Sequence, residues 1–261
     1  MKYDEVKEFG LVIIESLREN DLKTGTLLHN GLMKNKKFQE PTLSSFLYTV
    51  KTKEELFQKL TEIIVRIKID KLFPILHFEM HGFEDGIQLS SNEIVGWNEL
   101  LPIFREINIL LSNKLTIMMG MCRGITIAFE IDTSKRAPFN LIIGTIRDIN
   151  GIELLNGYDA FYDNYFFTFD SVKSTQLMNN EIDAIQSTFT YLKAEYFFDI
   201  LVEHDRTAKH SIIERERKNE LKDKSTEEIR LFTENEIKNI FGNYDDKDYF
   251  LMTDLKEKDK P

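Results

Sequence analysis

One cysteine occurs in 261 residues, at position 122. A single thiol forms no internal disulfide, so the chain reads as a protein of a reducing, cytoplasmic compartment. Long apolar runs are missing as well: none approaches the roughly 18–20 residues that span a bilayer, and no membrane partner is expected. The start, MKYDEVKEFG, carries acids and lacks the basic opening and apolar core of a secretion signal. Basic charge is in deficit. Lys and Arg number 34 against 44 Asp and Glu, a net charge of −10, which opposes non-specific binding to nucleic acid or anionic lipid. No glycine-rich phosphate loop follows the first apolar run, where LRENDLKTG is a poor candidate, and this counts against a flavodoxin-like nucleotide binder.

What remains is an ordinary globular composition, long enough for one large domain or two small ones. Apolar runs alternate with helical patterns. FGLVIIESL (9–17), SSFLYTV (44–50), PILHFEM (74–80), LTIMMG (115–120) and NLIIGTI (140–146) read as strands. Between the second and third, Leu56, Leu60, Ile63, Ile64 and Ile67 recur at steps of three and four, the stripe of an amphipathic helix. Residues 97–113 have the same period, with Pro102 tolerable only near the first turn. Strand, helix, strand is the pattern of parallel βαβ units, so the fold class is α/β. LRENDLKTGTLLHNGLMKNKKFQEP (17–41) reads as a long polar connection with one helical turn, and HGFEDG as a turn. Past residue 150 no strand is expected. NGYDAFYDNYFFTF reads as helical, and Met178, Ile182, Ile185, Phe189, Leu192, Tyr196 and Ile200 predict one long amphipathic helix. A charged helical extension, one more helix near TEEIRLFTENEIKNIFG and a frayed terminus complete the chain.

In an open parallel sheet, reacting groups collect past the carboxyl ends of the strands, where the strand order reverses. His81 follows PILHFEM and Cys122 lies two residues past LTIMMG. One crossover helix separates these strands, which predicts that they are neighbours and that both side chains emerge at the same edge. A thiol needs a base or cation beside it to serve as a nucleophile at neutral pH. Gly82 lets a backbone N–H approach a substrate oxygen, and the N–H groups of Gly82 and Cys122 are candidate oxyanion donors. Gly124 permits a sharp exit after the cysteine.

The pair His81-Gly82 and Cys122-Arg123-Gly124 resembles the caspase signature, a Cys-[Arg/Gln/Gly]-Gly with a His about 50 residues upstream. The stretch from ILHFEMHGFEDG to KLTIMMGMCRG, with APFNLIIGTIRDINGIELLNGYDAFYDNYF after it, is similar to the caspase-like clan of cysteine peptidases, and closer to the bacterial CHAT-type members than to animal caspases. The resemblance covers roughly residues 9–200. It implies an open, mostly parallel sheet flanked by helices, a peptidase domain over residues 1–202 and a charged helical extension over 203–261. It further implies a cysteine endopeptidase acting on a protein substrate through a Cys122–His81 dyad, with no metal or organic cofactor. Relatives of this type often act in prokaryotic antiviral defence, switched on by a partner, so the resemblance implies a regulatory protein partner. The competing class is a silent caspase-like adaptor.

One departure concerns Gly120, where caspases carry Gln and metacaspases Asp as part of the pocket for the substrate side chain, so neither preference transfers. Glu130 and Asp132 are candidate pocket acids. Glu79 is expected beneath His81 as an orienting or structural acid. His77, Glu79 and His81 share a strand face and have zinc-ligand chemistry, but His81 cannot serve both roles. Trp97 is expected to cap the core, and His29, His204 and His210 to be inert. Residues 123–139, which join the cysteine strand to the next, are too short and too close to the site to be a maturation linker, which predicts a single-chain enzyme gated by loop reshaping.

Overall fold

The computed structural model describes residues 6–39, 43–182, 188–241 and 247–257. Its centre is a sheet in which β1 (Glu8–Ser16), β2 (Leu43–Thr49), β3 (Leu72–Phe83), β6 (Thr116–Gly120) and β7 (Leu141–Gly144) run parallel in the order β2-β1-β3-β6-β7. The apolar runs of β1, β3, β6 and β7 are continuous because both faces of these strands are covered, whereas the edge strand β2 is mostly half-buried. Alternate residues serve opposite layers. Val12, Ile14, Leu76, Phe78, Ile117 and Ile142 belong to one core, and Leu11, Ile13, Ile75, Met118, Leu141 and Ile143 to the other.

The first layer contains α3 (Lys53–Ile69) and α4 (Trp97–Leu110). In α3 the five residues of the sequence stripe are the buried ones, each worth about 1.5–3 kcal/mol once removed from water. Thr52 and Glu55 cap its start reciprocally, the Glu55 N–H donating to Thr52 Oγ1 at 3.2 Å. Pro102 falls in the second turn of α4, on its exposed side. Trp97 opens that helix fully buried, its Nε1–H donating to the Glu84 carbonyl at 2.7 Å. The second layer contains α5 (Gly151–Thr168) and α6 (Ser171–Ile182), together with a helical run over residues 24–39 that begins as α1 (Thr24–Leu28), passes through a π-turn and ends as α2 (Lys34–Gln39).

That run corrects the expected polar connection. Of its apolar residues, Leu28 and Met33 are almost wholly buried in the second core, so packing rather than local composition makes the helix. His29 accordingly sits in a helical turn with Nδ1 2.8 Å from Ser45 Oγ, not in a loop. HGFEDG is likewise not all turn. Strand β3 continues through His81–Phe83, pairing antiparallel with β4 (Gly86–Gln88), which pairs in turn with β5 (Ile94–Gly96).

The long helix expected from Met178 to Ile200 is also corrected. Asn179 brings the chain back on itself, its amide accepting from the Phe189 N–H at 2.7 Å and donating to the Phe189 carbonyl at 2.8 Å. A further strand, β8 (Thr190–Lys193), pairs antiparallel with β7 before α7 (Ala194–Glu216) begins. Ile185 lies outside the described residues, and Tyr196 and Ile200 are exposed. A stripe at steps of three and four does not register a strand of four residues between two helices.

Beyond α7 lie α8 (Lys218–Leu221), α9 (Thr226–Phe241), α10 (Lys247–Leu251) and α11 (Thr253–Glu257). Residues 247–257 are packed rather than frayed; 258–261 lie outside the described residues. Phe250 is fully buried in the first core, its ring against Phe197 and Phe198. Its carbonyl accepts from the Ala137 N–H at 2.9 Å, and Arg136 grips Asp254 in a two-pronged pair at 2.7 and 2.8 Å. Phe250→Ala is therefore expected to cost about 3–5 kcal/mol in denaturant unfolding, where a frayed tail would cost nothing measurable. No described helix is long and apolar enough to cross a membrane.

Candidate active site

Strands β3 and β6 are neighbours, and Glu79 stands opposite Gly120 in their register. His81 and Cys122 each lie two residues further on, so both reach the same edge. They line one cleft of about 340 Å³ together with Leu17, Asp21, Glu79, Gly120, Ile149 and Asn150. The cleft sits at the carboxyl ends of β1, β3 and β6, where the order turns from β1–β2 on one side to β3–β6 on the other. A larger cavity, of about 690 Å³, opens at the amino ends of the strands beside Phe9, Phe73 and Phe169. It holds neither candidate residue and lies at the wrong edge for this chemistry.

Cys122 is half-buried. Its sulfur accepts from the Ile149 N–H at 3.3 Å and lies 3.5 Å from the Ile149 carbonyl, so in this conformation its hydrogen bonds go to the loop before α5 rather than to His81. Asn150 caps α5, its Oδ1 accepting from the N–H groups of Ile152 (3.0 Å) and Glu153 (3.1 Å). The amino end of an 18-residue helix thus borders the cleft beside the thiol, a setting that favours developing negative charge. The chain leaves Cys122 through Arg123, which takes the left-handed conformation at φ 55°. The sharp exit is made by Arg123 rather than by Gly124, and Thr126 secures it, its N–H and hydroxyl both bonding the Arg123 carbonyl, at 3.0 and 2.8 Å.

Gly82 lies flat against the cysteine loop. A Cβ there would run into the Cys122 carbonyl and come within 2.8 Å of the Met121 side chain. Gly120 is bare for a similar reason, because a Cβ would enter the space of the Tyr158 hydroxyl and the Glu79 carboxyl. Gly120 lines the cleft, whereas Glu130 and Asp132 do not. Asp132 is taken up by its own turn, accepting from the Ser134 N–H at 3.0 Å and pairing with Lys135. Burial works to raise its carboxyl, but the Ser134 and Lys135 contacts outweigh that and hold it below the ordinary value.

Glu79 is structural, and it does not reach His81. Wholly buried, it accepts from the Thr24 and Tyr158 hydroxyls and from His77 Nε2 at 2.5 Å, while His77 Nδ1 meets the Tyr162 hydroxyl at 2.5 Å. Burial, then the adjacent Glu79, pushes both phenols well above their usual range, so they stay protonated. With these partners His77 and Glu79 are committed to each other and to the aromatic helix behind them, leaving neither free to join His81 around a metal.

The acid beside His81 is one that the sequence pattern does not mark. Asp21, in the loop between β1 and α1, places Oδ2 2.9 Å from His81 Nε2 across 60 residues of chain. No motif or spacing singles it out; only the rule that reacting groups gather past strand ends brings residues 17–23 into view. His204 is exposed, and His210 pairs with Glu214 at 3.5 Å in α7, far in sequence from the cleft-lining residues. No protein-family model matches the chain, and no curated protein matches it.

Proposed function

We propose that the protein is a caspase-like cysteine endopeptidase with Cys122 as nucleophile and His81 as general base and acid. The observation that carries this reading is that His81 and Cys122 stand past the ends of neighbouring strands and line one cleft. The thiol proton passes to His81, and the sulfur attacks the scissile carbonyl. The oxyanion is received by the backbone N–H groups of Gly82 and Cys122, His81 returns the proton to the leaving amine, and water then hydrolyses the thioester. Before attack the sulfur must turn away from Ile149.

That requirement fits control by a partner that moves the loop over residues 145–149, and a place in antiviral defence suits such a latent enzyme. It also fits the second reading, a silent adaptor in which the thiol stays locked. Peptides released from a cell lysate by the wild-type chain but not by Cys122→Ala, identified by mass spectrometry, decide between them; identical peptide sets would end the peptidase reading.

Activation is expected to leave the chain whole. In residues 123–139, Ile125, Ile127, Ala128, Ala137 and Phe139 are buried in the first core, so a cut there would loosen packing rather than free a linker. Intact-mass analysis during turnover should show one uncut species. Activity carried solely by a form cleaved between residues 123 and 139 would overturn this.

A further inference from the structure

We propose that Asp21 is the positioning residue of this site, holding the His81 imidazole by Nε2 so that Nδ1 is the nitrogen left for the thiol. The inference rests on Cys122 and His81 being the reacting pair. Three strands adjacent in the sheet, β1, β3 and β6, would then deliver acid, base and nucleophile from their carboxyl ends. Because a carboxylate only accepts, the proton of neutral His81 must sit on Nε2, and the lone pair on Nδ1.

The loop carrying Asp21 is built to hold that geometry. Asp21 Oδ2 also accepts from the Arg18 N–H at 2.7 Å, and the Asp21 N–H returns a bond to the Arg18 carbonyl at 3.0 Å. The Lys23 ammonium closes the loop from behind, donating to the Leu17 carbonyl at 2.6 Å and to that of Arg18. The Arg18 guanidinium crosses to Gln88 Oε1 at 2.6 Å and Asn92 Oδ1 at 3.3 Å. Gln88 is the residue that pairs with His81 in the β3–β4 ribbon. The acid and the imidazole are thus referenced to one ribbon, and their separation is set by it.

Among the described residues, no other carboxylate competes for the ring. Glu79, one step back on the same strand face, is occupied by His77, Thr24 and Tyr158. On the neighbouring loops Glu84 and Asp148 flank Arg123. Burial works to raise the Asp21 carboxyl, but the Arg18 N–H, the His81 contact and the charges of both residues hold it below its ordinary value of 3.8. Its share of stability is therefore full above the usual carboxylate range and is lost only as pH falls through the lowered value.

The single cysteine makes the test clean, because iodoacetamide labelling of the full chain followed by intact mass reads Cys122 alone. Positioned proton transfer is worth about 10²–10⁴-fold, and losing the anchor should remove about tenfold of it. Asp21→Ala is expected to slow labelling by that factor, with Asp21→Asn between it and wild type, since an amide oxygen can still accept from Arg18 and His81. The second readout is ¹⁵N NMR of labelled histidine. Wild type should show neutral His81 protonated at Nε2, and Asp21→Ala a mixture of the two tautomers, which a merely structural role would leave unmoved. His81→Ala slowing the labelling while Asp21→Ala labels at the wild-type rate and keeps the tautomer would overturn the role of Asp21 and leave the pair standing. His81→Ala labelling at the wild-type rate, both in the free chain and in the cell lysate in which peptide release is read, would sink the pair itself, and this inference with it.

Discussion

Cys122→Ala should reduce peptide release to the uncatalysed background, and His81→Ala should fall nearly as far. In the proposed mechanism nucleophile and base act as one unit. Without the imidazole the thiol lacks a proton acceptor and the amine lacks a donor, and without the thiol the imidazole has nothing to activate. In hydrolases of this logic the loss is about 10⁵–10⁶-fold in kcat, and the double variant is no slower than either single one. That non-additivity is the diagnostic. Two independent contributions would multiply, whereas a shared step cannot be lost twice. Neither replacement should shift the midpoint of urea unfolding by much, because Cys122 is half-buried and the His81 side chain is 41% exposed. A His81→Ala protein that cleaves at the wild-type rate would place the base elsewhere.

A stability effect as large as that of Phe250→Ala is expected one step deeper than the dyad, at Glu79→Ala. Four side chains, Glu79, His77, Tyr158 and Thr24, are buried together, and the carboxyl is the group the other three share. Removing it strands a ring N–H and two hydroxyls away from water. Each stranded group costs about 1–3 kcal/mol, and breaking a buried pair by deleting one partner costs about 3–5 kcal/mol in all. Denaturant unfolding should show a loss of that size with an unchanged slope. Tyr158→Phe should cost less, because Glu79 keeps Thr24 and His77. A Glu79→Ala loss below about 1 kcal/mol would mean that water already reaches the cluster. The variant also probes the floor of the cleft, since Gly120 is bare only because Glu79 and Tyr158 fill the space above it.

Much of this was legible in the chain. The apolar runs at 9–17, 74–80, 115–120 and 140–146 are strands because parallel strands buried on both faces must be largely apolar, a constraint that shows directly in composition. The stripe of α3 reads the same way, since a helix with one covered face repeats its buried residues every three or four positions. The neighbouring of β3 and β6 followed from the single crossover helix between them, and with it the meeting of His81 and Cys122 at one edge. These are features whose cause is local or follows from chain connectivity.

Tertiary structure decided the rest. The helical run over residues 24–39 exists because Leu28 and Met33 find a sheet to cover. Strand β8 exists because the edge of β7 offers backbone partners, and Asn179 turns the chain toward it. The last described residues are ordered because Phe250 finds a hole beside Phe197 and Phe198. The division of labour among the acids was also invisible in one dimension. Glu79 looks from its spacing like the partner of His81, yet helix α5 brings Tyr158 to it and claims it for the core, while Asp21 arrives from a loop 60 residues away. A side chain's role depends on which groups the fold brings within about 3 Å of it, and hydrogen-bonding partners distant in sequence leave no period and no spacing to read.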